Sequence, residues 1–394
     1  MRRERGYSLI ELMVALAVVV LIIGTTLKAL TDASNATQAV TLMADTQENL
    51  RAGLNYMVRD ITQAGEGIPQ GGITIPNTGG GTPTSAVARP GPTGIGNFPN
   101  TWVALPAIAS GFQLGPTTSV SGQATDMITI MYADTSLVDA SGHWLNEFPI
   151  FLAPTNGGAT GCAAANPNPA PAGSIVTAGS TTTVTFDPTC ISIGTTIQPG
   201  DLILLENNNS VSPDPSQTES DVSSTESTGH MALVVVSAVA GNAITFSAGD
   251  AFNLNASGQP AGTISQIQSP AGSRAYPTTT ATRIWMVTYY INNANTQNPQ
   301  LMRQVNLKPA NAVGEAIENM QLFYDIMNAG TSPVTVTANQ ENPTYAQLAY
   351  IRDTYILLFA RSENPYNLTH QYFRNNLETV VSIRGLDFYN EFQN

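Results

Sequence analysis

The sequence predicts an α+β protein in which one long N-terminal helix precedes a head of antiparallel strands with large loop-rich insertions. The helix is predicted because residues 31–64 contain no Pro and one Gly. The head is predicted because the rest of the 394-residue chain, which has 33 Gly, 25 Pro and only 11% charged residues, alternates turn-rich stretches with short apolar runs. Such a mixture is typical of strands and loops rather than of a helical bundle.

The first thirty residues combine a basic leader with an apolar segment. Residues 1–6 include three arginines and end in Gly6, and the stretch Leu12–Leu27 has no charged residue. With residues 7–10 this segment is long enough to cross a bilayer, which takes roughly 20 helical residues. Because positive charge favours the cytoplasmic side, we expect a single span with a cytoplasmic N-terminus and the remainder of the chain outside.

Glu11 is the one charged residue within the apolar segment. A carboxylate near the bilayer centre costs roughly 2.5–3.5 kcal/mol, so such a residue is expected to have a function and a partner. Nothing in the segment itself can pair with it. If the leader were cut after Gly6, the new α-amino group of Tyr7 would be a cation at a similar depth.

The heptapeptide of residues 6–12, GYSLIEL, followed by an apolar helix, resembles the class III signal of type IV prepilins and type II secretion pseudopilins. The resemblance implies that prepilin peptidase cleaves between Gly6 and Tyr7 and that Tyr7 is N-methylated. It also implies that Glu11, the fifth mature residue, neutralises the N-terminal amine of a neighbouring subunit in a filament. Tyr7 departs from the usual Phe, and Lys28 stands where many major pilins have a helix-kinking Pro.

Two simpler interpretations of the N-terminus remain open. A conventional secretory signal would have a small-residue cleavage site such as Ser34-Asn35-Ala36. An ordinary single-pass anchor would tolerate Glu11 near the membrane edge. The carboxylate inside the apolar segment argues against the first of these.

The helix is predicted to continue beyond the membrane as an amphipathic segment. Leu50, Leu54, Val58 and Ile61 recur at helical spacing, with the charged pair Arg59-Asp60 between them. Glycine and proline at Gly65, Gly67 and Pro69 end it. The Arg-Asp-Ile sequence closing in Ala-Gly before this Gly-rich exit resembles the PilW-type minor pilins.

These features divide the chain into four parts. The predicted parts are a leader (1–6), a transmembrane and filament helix (7–30), its amphipathic continuation (31–66) and an extracytoplasmic β-rich head (67–394) with an insertion at about 71–280.

The head is predicted to contain strands throughout, although residues 71–125 read only as a long loop or a few short strands. A short helix running into a strand is predicted at Val313–Ile326. The predicted strands are Asp126–Ala133, Thr181–Phe186, Asp201–Glu206, Met231–Val239, Ala243–Ser247, Arg283–Ile291, Leu301–Leu307, Thr354–Arg361 and Thr379–Arg384. The order of elements from about 280 to 388, with Glu315–Gln321 and the closing VSIRGL, resembles the ending of PilW-like and type II secretion J-type minor subunits.

Cys162 and Cys190, the two cysteines, both lie in the predicted exported part. In an oxidising compartment they would most simply form a disulfide, although two free structural cysteines remain an alternative. The net charge of −13 disfavours general nucleic-acid binding, which needs clustered Lys and Arg.

Sequence motifs for hydrolases, nucleotide binding, zinc proteases and paired-cysteine metal sites are missing from the sequence. His143, His230 and His370 are scattered, and we predict no catalytic residue, metal or cofactor. The acidic stretch Asp214–Glu226 offers oxygen ligands for calcium but lacks the spacing of a calcium loop, so a solvated loop is the simpler interpretation.

The sequence thus predicts a structural, non-enzymatic PilW-like minor pilin. Its expected partners are other pilins, prepilin peptidase and, before assembly, the inner membrane; its final location is the pilus or cell surface. The large head favours the tip or initiation complex, where it would be available for adhesion. A J-type pseudopilin of type II secretion and a membrane-anchored binding module are the alternatives.

Overall fold

A computed structural model gives the structure of the chain. It describes residues 8–69, 71–78, 83, 85–118, 122–134, 136, 148–149, 175–185, 196–207, 230–241, 243–256, 261–267, 279–328 and 335–383. One long helix is followed by antiparallel sheets, which confirms the predicted α+β, pilin-like architecture.

Helix α1 runs without a break from Leu9 to Thr62, 54 residues. At about 1.5 Å per residue it is roughly 80 Å long. It ends where Gly65 and Gly67 adopt φ values of +82° and +65°, which residues with a side chain rarely take. The N–H of Gly65 donates to the Met131 carbonyl at 3.0 Å, so the helix exit is fastened to the sheet. The predicted continuous helix and its glycine stop are confirmed.

The remaining described elements are short or medium-length strands, together with a 3₁₀ turn at Ile264–Gln266 and a short helix, α2 (Tyr345–Leu348). The strands are β1 (Ile73–Thr74), β2 (Ala104–Leu105), β3 (Ile108–Gly111), β4 (Met127–Ala133), β5 (Phe148–Pro149), β6 (Ile175–Ala178), β7 (Thr181–Thr185), β8 (Leu202–Asn207), β9 (His230–Val235), β10 (Ala238–Ala240), β11 (Ala243–Ser247), β12 (Thr279–Asn292), β13 (Gln300–Val305), β14 (Asn311–Glu315), β15 (Ile317–Asn328), β16 (Thr335–Gln340), β17 (Ile351–Arg361) and β18 (Arg374–Ser382).

The strands pair antiparallel in four sheets among the described residues. Their orders are β1-β2; β10-β11-β7-β6; β14-β13-β12-β4-β3 with β5, β8 and β9 attached in an eight-stranded sheet; and β16-β15-β17-β18. The long strand β12 organises the largest sheet, because β4, β5, β8 and β13 all pair with it directly. Strands from residues 71–280 therefore join the same sheet as the C-terminal third of the chain.

Only the C-terminal half of α1 packs on these sheets; its N-terminal half does not contact them. Its buried residues are Leu42, Thr46, Leu50, Gly53, Leu54, Met57, Asp60 and Ile61. The helix contacts β14, β17 and β18. Its residues Leu50, Leu54, Met57 and Ile61 share one apolar core with the eight-stranded sheet and the β16-β15-β17-β18 sheet. Among the predicted stripe residues, Val58 is only partly buried. The helix is thus embedded in the head from Leu42 onward.

Most predicted strands are confirmed, with shifted ends. Of the helix running into a strand that was predicted at Val313–Ile326, the strand is confirmed and the helix is wrong. This segment forms β14 and β15, which are interrupted at Ala316, a residue with φ of +54°. Alternate residues of β15 are buried in the core that β15 shares with α1 and neighbouring strands, so tertiary packing overrides the helix propensity of Glu, Ala and Met.

Two further strand predictions need correction. Met231–Val239 forms parts of two strands, β9 and β10. Pairing with β8 ends at Val235, and pairing with β11 begins at Ala238. The closing strand spans Arg374–Ser382, and it begins five residues before the predicted start because it pairs with β17 along most of that strand's length.

Candidate functional site

The start of α1 contains the residue that the sequence singled out, Glu11. Ser8 is the N-cap: its hydroxyl accepts from the Glu11 N–H at 3.3 Å, while the Glu11 carboxylate accepts from the Ser8 N–H at 3.0 Å. This reciprocal capping box satisfies two of the free N–H groups that every helix start leaves, and places a negative charge at the positive end of the helix. Gly6 and Tyr7 lie outside the described residues.

The N-terminal half of α1 presents a continuous apolar surface. Its exposed large side chains are Leu9, Ile10, Leu12, Met13, Val14, Leu16, Val18, Val19, Val20, Leu21, Ile22, Ile23, Leu27 and Leu30. By length and composition this helix is able to cross a membrane. A surface of this size and kind is typical of a segment that lies in lipid or against other chains.

The head does not reach this surface. Partial burial begins at Asn35, and the Asn367 N–H donates to Gln38 Oε1 at 3.4 Å. The helix from Leu9 to Asn35 thus extends about 40 Å beyond its docked part at 1.5 Å per residue. The uncovered length exceeds the roughly 30 Å hydrocarbon core of a bilayer. Glu11 is therefore far from the head and lies next to the free end of the rod.

A buried ionic cluster fixes the other end of the helix. Asp60 is 0% exposed. Its Oδ2 accepts from the Tyr289 hydroxyl at 2.6 Å and from Arg303 Nε at 2.6 Å, and its Oδ1 accepts from the Tyr132 hydroxyl at 3.3 Å. The donors come from β12, β13 and β4, so one helix carboxylate joins three adjacent strands.

The electrostatics of this cluster keep the three donors to Asp60 protonated. Burial, together with the charge of Asp60, raises the pKa of both tyrosines above the usual value, which keeps them protonated as donors. Burial alone would lower the pKa of Arg303, but the hydrogen bond and charge of Asp60 outweigh it and raise that pKa. Arg303 thus stays a cation beside the buried carboxylate.

A second contact sets how closely the helix approaches the sheet. A Cβ atom on Gly53 would lie 2.9 Å from Leu301 Cδ2, and the Cα of Gly314 in β14 is 3.9 Å from the same point. A Cβ on Gly314 would in turn lie 3.4 Å from the Asn49 carbonyl oxygen. Two glycines therefore face each other where the helix backbone crosses a strand.

Of the histidines, cysteines and acidic stretch considered in the sequence, the structure describes only His230, which begins β9, and His370. Cys162, Cys190, His143 and the acidic stretch 214–226 lie outside the described residues, so the disulfide and calcium hypotheses stay predictions. His370 lies in a loop, where its N–H donates to the Tyr366 carbonyl. In the part of the chain that the structure describes, no group of three or more His, Cys, Asp or Glu residues is placed to hold a metal ion.

Sequence reasoning missed the role of Asp60. It placed this residue with the polar positions between the apolar ones, whereas the structure buries it completely. A carboxylate one position from the buried Ile61 was the available signal, but its partners are 72, 229 and 243 residues away.

Comparison with known proteins agrees with the geometry of the N-terminus. Residues 1–27 match the family described as the prokaryotic N-terminal methylation motif. No curated protein and no solved structure matches the chain. The free apolar helix, the carboxylate in its first turn and this match together support a type IV pilin-like protein: the motif implies a pilin or pseudopilin that prepilin peptidase processes and that assembles with other pilins.

Proposed function

We propose that this protein is a structural, non-enzymatic minor pilin of the PilW-like kind. The observation that carries the proposal is the division of α1 into a free apolar half bearing Glu11 and a half embedded in the head. The free half would anchor the chain in the inner membrane with its N-terminus in the cytoplasm. After removal of residues 1–6 it would pack against the helices of other subunits in the filament.

The role of Glu11 follows from charge balance. Cleavage after Gly6 creates an α-amino cation on Tyr7, at the end of the helix where the macrodipole is already positive. Leaving that cation unpaired in hydrocarbon is costly, as is leaving the carboxylate unpaired. We propose that Glu11 accepts the Tyr7 amine of an adjacent subunit, and that N-methylation of this amine preserves its positive charge.

Mass spectrometry of the mature N-terminus tests the processing step. We expect the chain isolated from its native host to begin at Tyr7 with one added methyl group on the amine. Retention of Met1, or a start near Ala36, would refute the proposed processing. A Gly6→Leu variant is expected to keep the leader, while an Arg5→Lys variant, which preserves charge, is expected to be processed normally.

Assembly is tested separately with Glu11→Ala. We expect this variant to insert and fold but to be absent from sheared filaments, because the amine of the neighbouring subunit loses its counter-ion. Glu48→Ala is the matched control, since Glu48 is an exposed carboxylate on the same helix. Surface display and piliation unchanged by Glu11→Ala would instead support a membrane-anchored binding module that does not assemble.

The size of the head supports a place at the filament tip or in the initiation complex. A head of more than 300 residues is difficult to pack at every step of a thin helical filament, whereas at the tip it is free on most sides and available for adhesion. Immunogold labelling of the head is expected only at filament ends. Label distributed evenly along the shafts would contradict this position.

A J-type minor pseudopilin of a type II secretion system is the second candidate, because the methylation motif at residues 1–27 is common to both groups. Deletion of the gene distinguishes them: loss of surface filaments supports the pilin, and accumulation of folded exoproteins in the periplasm supports the pseudopilin.

A further inference from the structure

A cleft on the head carries chemistry that anchoring and assembly do not use. It lies on the sheet formed by β15, β17 and β18 and has a volume of ≈ 350 Å³. This lies within the roughly 300–1,000 Å³ of small-molecule sites. The lining residues that matter here are Glu318, Asn319, Gln321, Phe359, Arg374 and Asn376.

The cleft lies on the face of the sheet that points away from α1. Leu358 is buried and approaches the position of Gly53 in the helix, so the next residue, Phe359, points to the opposite face. Asn319 pairs with Phe359 across the two strands and shares that face. A ligand here therefore does not compete with the helix for the sheet.

A β-bulge turns Glu318 toward the cleft. The register of β15 and β17 shifts between Ile317 and Asn319, which leaves Glu318 as the extra residue. Just before it, Ala316 has a φ of +54°, a left-handed conformation that costs a residue with a side chain roughly 1–2 kcal/mol. Bulges and such strained residues often re-aim side chains at binding sites.

Glu318 is buried, and only one of its two carboxylate oxygens accepts a hydrogen bond. It is 8% exposed. Its Oε1 accepts from Arg374 Nε at 2.8 Å, and Arg361 Nη1 stands 4.0 Å from Oε2. Oε2 has no hydrogen bond from any described residue, and neither has the buried Oδ1 of Asn319. Both oxygens have almost no accessible surface in this structure, so a ligand reaches them only when a change of rotamer turns them into the cleft. Because buried acceptors without a donor are costly, a ligand that supplies hydroxyl or N–H donors would favour that change.

We propose that this cleft binds a neutral carbohydrate, as one or two sugar rings of a surface glycan. Vicinal sugar hydroxyls both donate and accept, which suits the carboxylate of Glu318, the amides of Asn319 and Gln321, and the guanidinium of Arg374. The half-buried ring of Phe359 offers a flat apolar surface for the C–H face of a sugar. An anionic ligand fits less well, because a carboxylate forms part of the wall.

The inference goes beyond the proposed role in assembly. Binding by the isolated chain succeeds or fails whether or not the chain enters a filament, so the two proposals fail independently.

The test is saturation-transfer difference NMR on the full chain, held in a zwitterionic detergent without a sugar headgroup. The probes are glucose, galactose, mannose, N-acetylglucosamine, N-acetylgalactosamine and the disaccharides lactose and chitobiose, each alone, with inorganic phosphate tested by phosphorus NMR. We expect saturation transfer to the ring protons of at least one saccharide and no binding of phosphate.

The variants assign the signal to the cleft. Glu318→Gln and Asn319→Ala are each expected to weaken saccharide binding about tenfold or more, the loss that follows from removing a hydrogen bond to a charged or buried group. Phe359→Leu, which keeps an apolar side chain but removes the flat ring, is expected to abolish transfer to the C–H face. Glu48→Gln and Asn311→Ala, at exposed positions outside the cleft, are the matched controls and should bind as the wild type does.

Each outcome decides the matter. No transfer to any of the saccharides, or transfer that the three cleft variants leave unchanged, overturns the proposal. Phosphate binding without saccharide binding also overturns the carbohydrate proposal, and it would indicate an anion site at Arg374. A variant that loses its wild-type circular dichroism is set aside in favour of Gln321→Ala, which removes an amide from the cleft wall and is expected to weaken binding in the same direction.

Discussion

Arg303 donates from Nε to Oδ2 of Asp60 at 2.6 Å, across 243 positions of sequence. The carboxylate is completely buried; two tyrosine hydroxyls also donate to it, and Arg59 Nη2 lies 3.5 Å from its Oδ1. This pair joins the end of the rod to the centre of the largest sheet. Removing one partner of such a buried ion pair is costly, because the other partner is left as an uncompensated charge in the protein interior.

Asp60→Ala is expected to destabilise the head by roughly 3–5 kcal/mol, because Arg303 and two hydroxyl groups lose their acceptor. Urea denaturation of the full chain in detergent, followed by tryptophan fluorescence, measures the free energy of unfolding. Asp45→Ala, an exposed aspartate on the same helix, is the control and should change it by less than about 0.5 kcal/mol. A loss below about 1 kcal/mol for Asp60→Ala would mean that the cluster does not hold helix and head together.

Gly53→Val is expected to destabilise the protein by about 1–3 kcal/mol, because the new methyl groups would enter the space of Leu301 and Leu358. The control is Gly24→Val, since a Cβ atom at Gly24 meets nothing within 4 Å. Valine has a slightly higher helix propensity than glycine, so the control should be neutral or slightly stabilising. Equal melting temperatures for the two variants would contradict a tight helix-to-strand contact.

Arg89 is a buried cation whose guanidinium donates to Thr129 Oγ1 at 3.2 Å and to the Ala109 carbonyl at 2.9 Å. Burial lowers its pKa to about 10, against a small opposing effect of Tyr324. Because charging this group costs energy in the folded state, Arg89→Met, which keeps the volume, is expected to be neutral or stabilising by about 1 kcal/mol. Arg89→Ala, which leaves a cavity, should cost about 2–5 kcal/mol. A loss of more than about 2 kcal/mol for Arg89→Met, which keeps the volume, would show that the charge and its hydrogen bonds are needed.

Asp134 makes part of the stability depend on pH. Burial would raise its pKa, but hydrogen bonds from Ser136 and the Arg283 guanidinium, whose Nε lies 2.7 Å from Oδ2, outweigh burial and lower it below the usual 3.8. The unfolded chain therefore takes up this proton first as the pH falls. The stabilisation is present above about pH 4 and is lost as the pH drops through the folded-state pKa.

The pH dependence is measured by urea denaturation at pH 7, 5, 4 and 3. We expect Asp134→Asn to be less stable than the wild type by roughly 3 kcal/mol at pH 7, with the difference shrinking below pH 4. Asp32→Asn, at an exposed helix position, should follow the wild-type curve at every pH. A difference that is constant with pH would exclude titration of Asp134 as its origin.

The sequence was informative where structure is local. Helix α1 was predictable because helical spacing and the absence of Pro act over neighbouring residues, and Gly65 and Gly67 mark its end. β4, β11 and β17 were predictable from β-branched and aromatic runs. At Val313–Ile326 the strand was predictable but its first turn was wrongly predicted as helix, because Gly314 must lie against the helix at Gly53 and β15 must pair with β17, contacts that no local pattern records.

The same limit applies to the two sites. Glu11 stands out because an isolated carboxylate in an apolar run is informative by itself. The partners of Asp60 and the wall of the cleft come from strands far apart in sequence, and Glu318 reaches the cleft only through a one-residue shift of register. Such juxtapositions depend on sheet topology and become visible only in three dimensions.

The uninterrupted course of α1 also has a mechanical consequence. A pull applied near Leu9 travels along a stiff rod and reaches the head parallel to the seam that runs from Leu42 to Ile61. Contacts along this seam are then strained together, in shear, instead of being peeled apart one at a time from an end. With Asp60 at its far end, the attachment resists tension over its whole length, which is the property that a protein pulled by one end and held by the other requires.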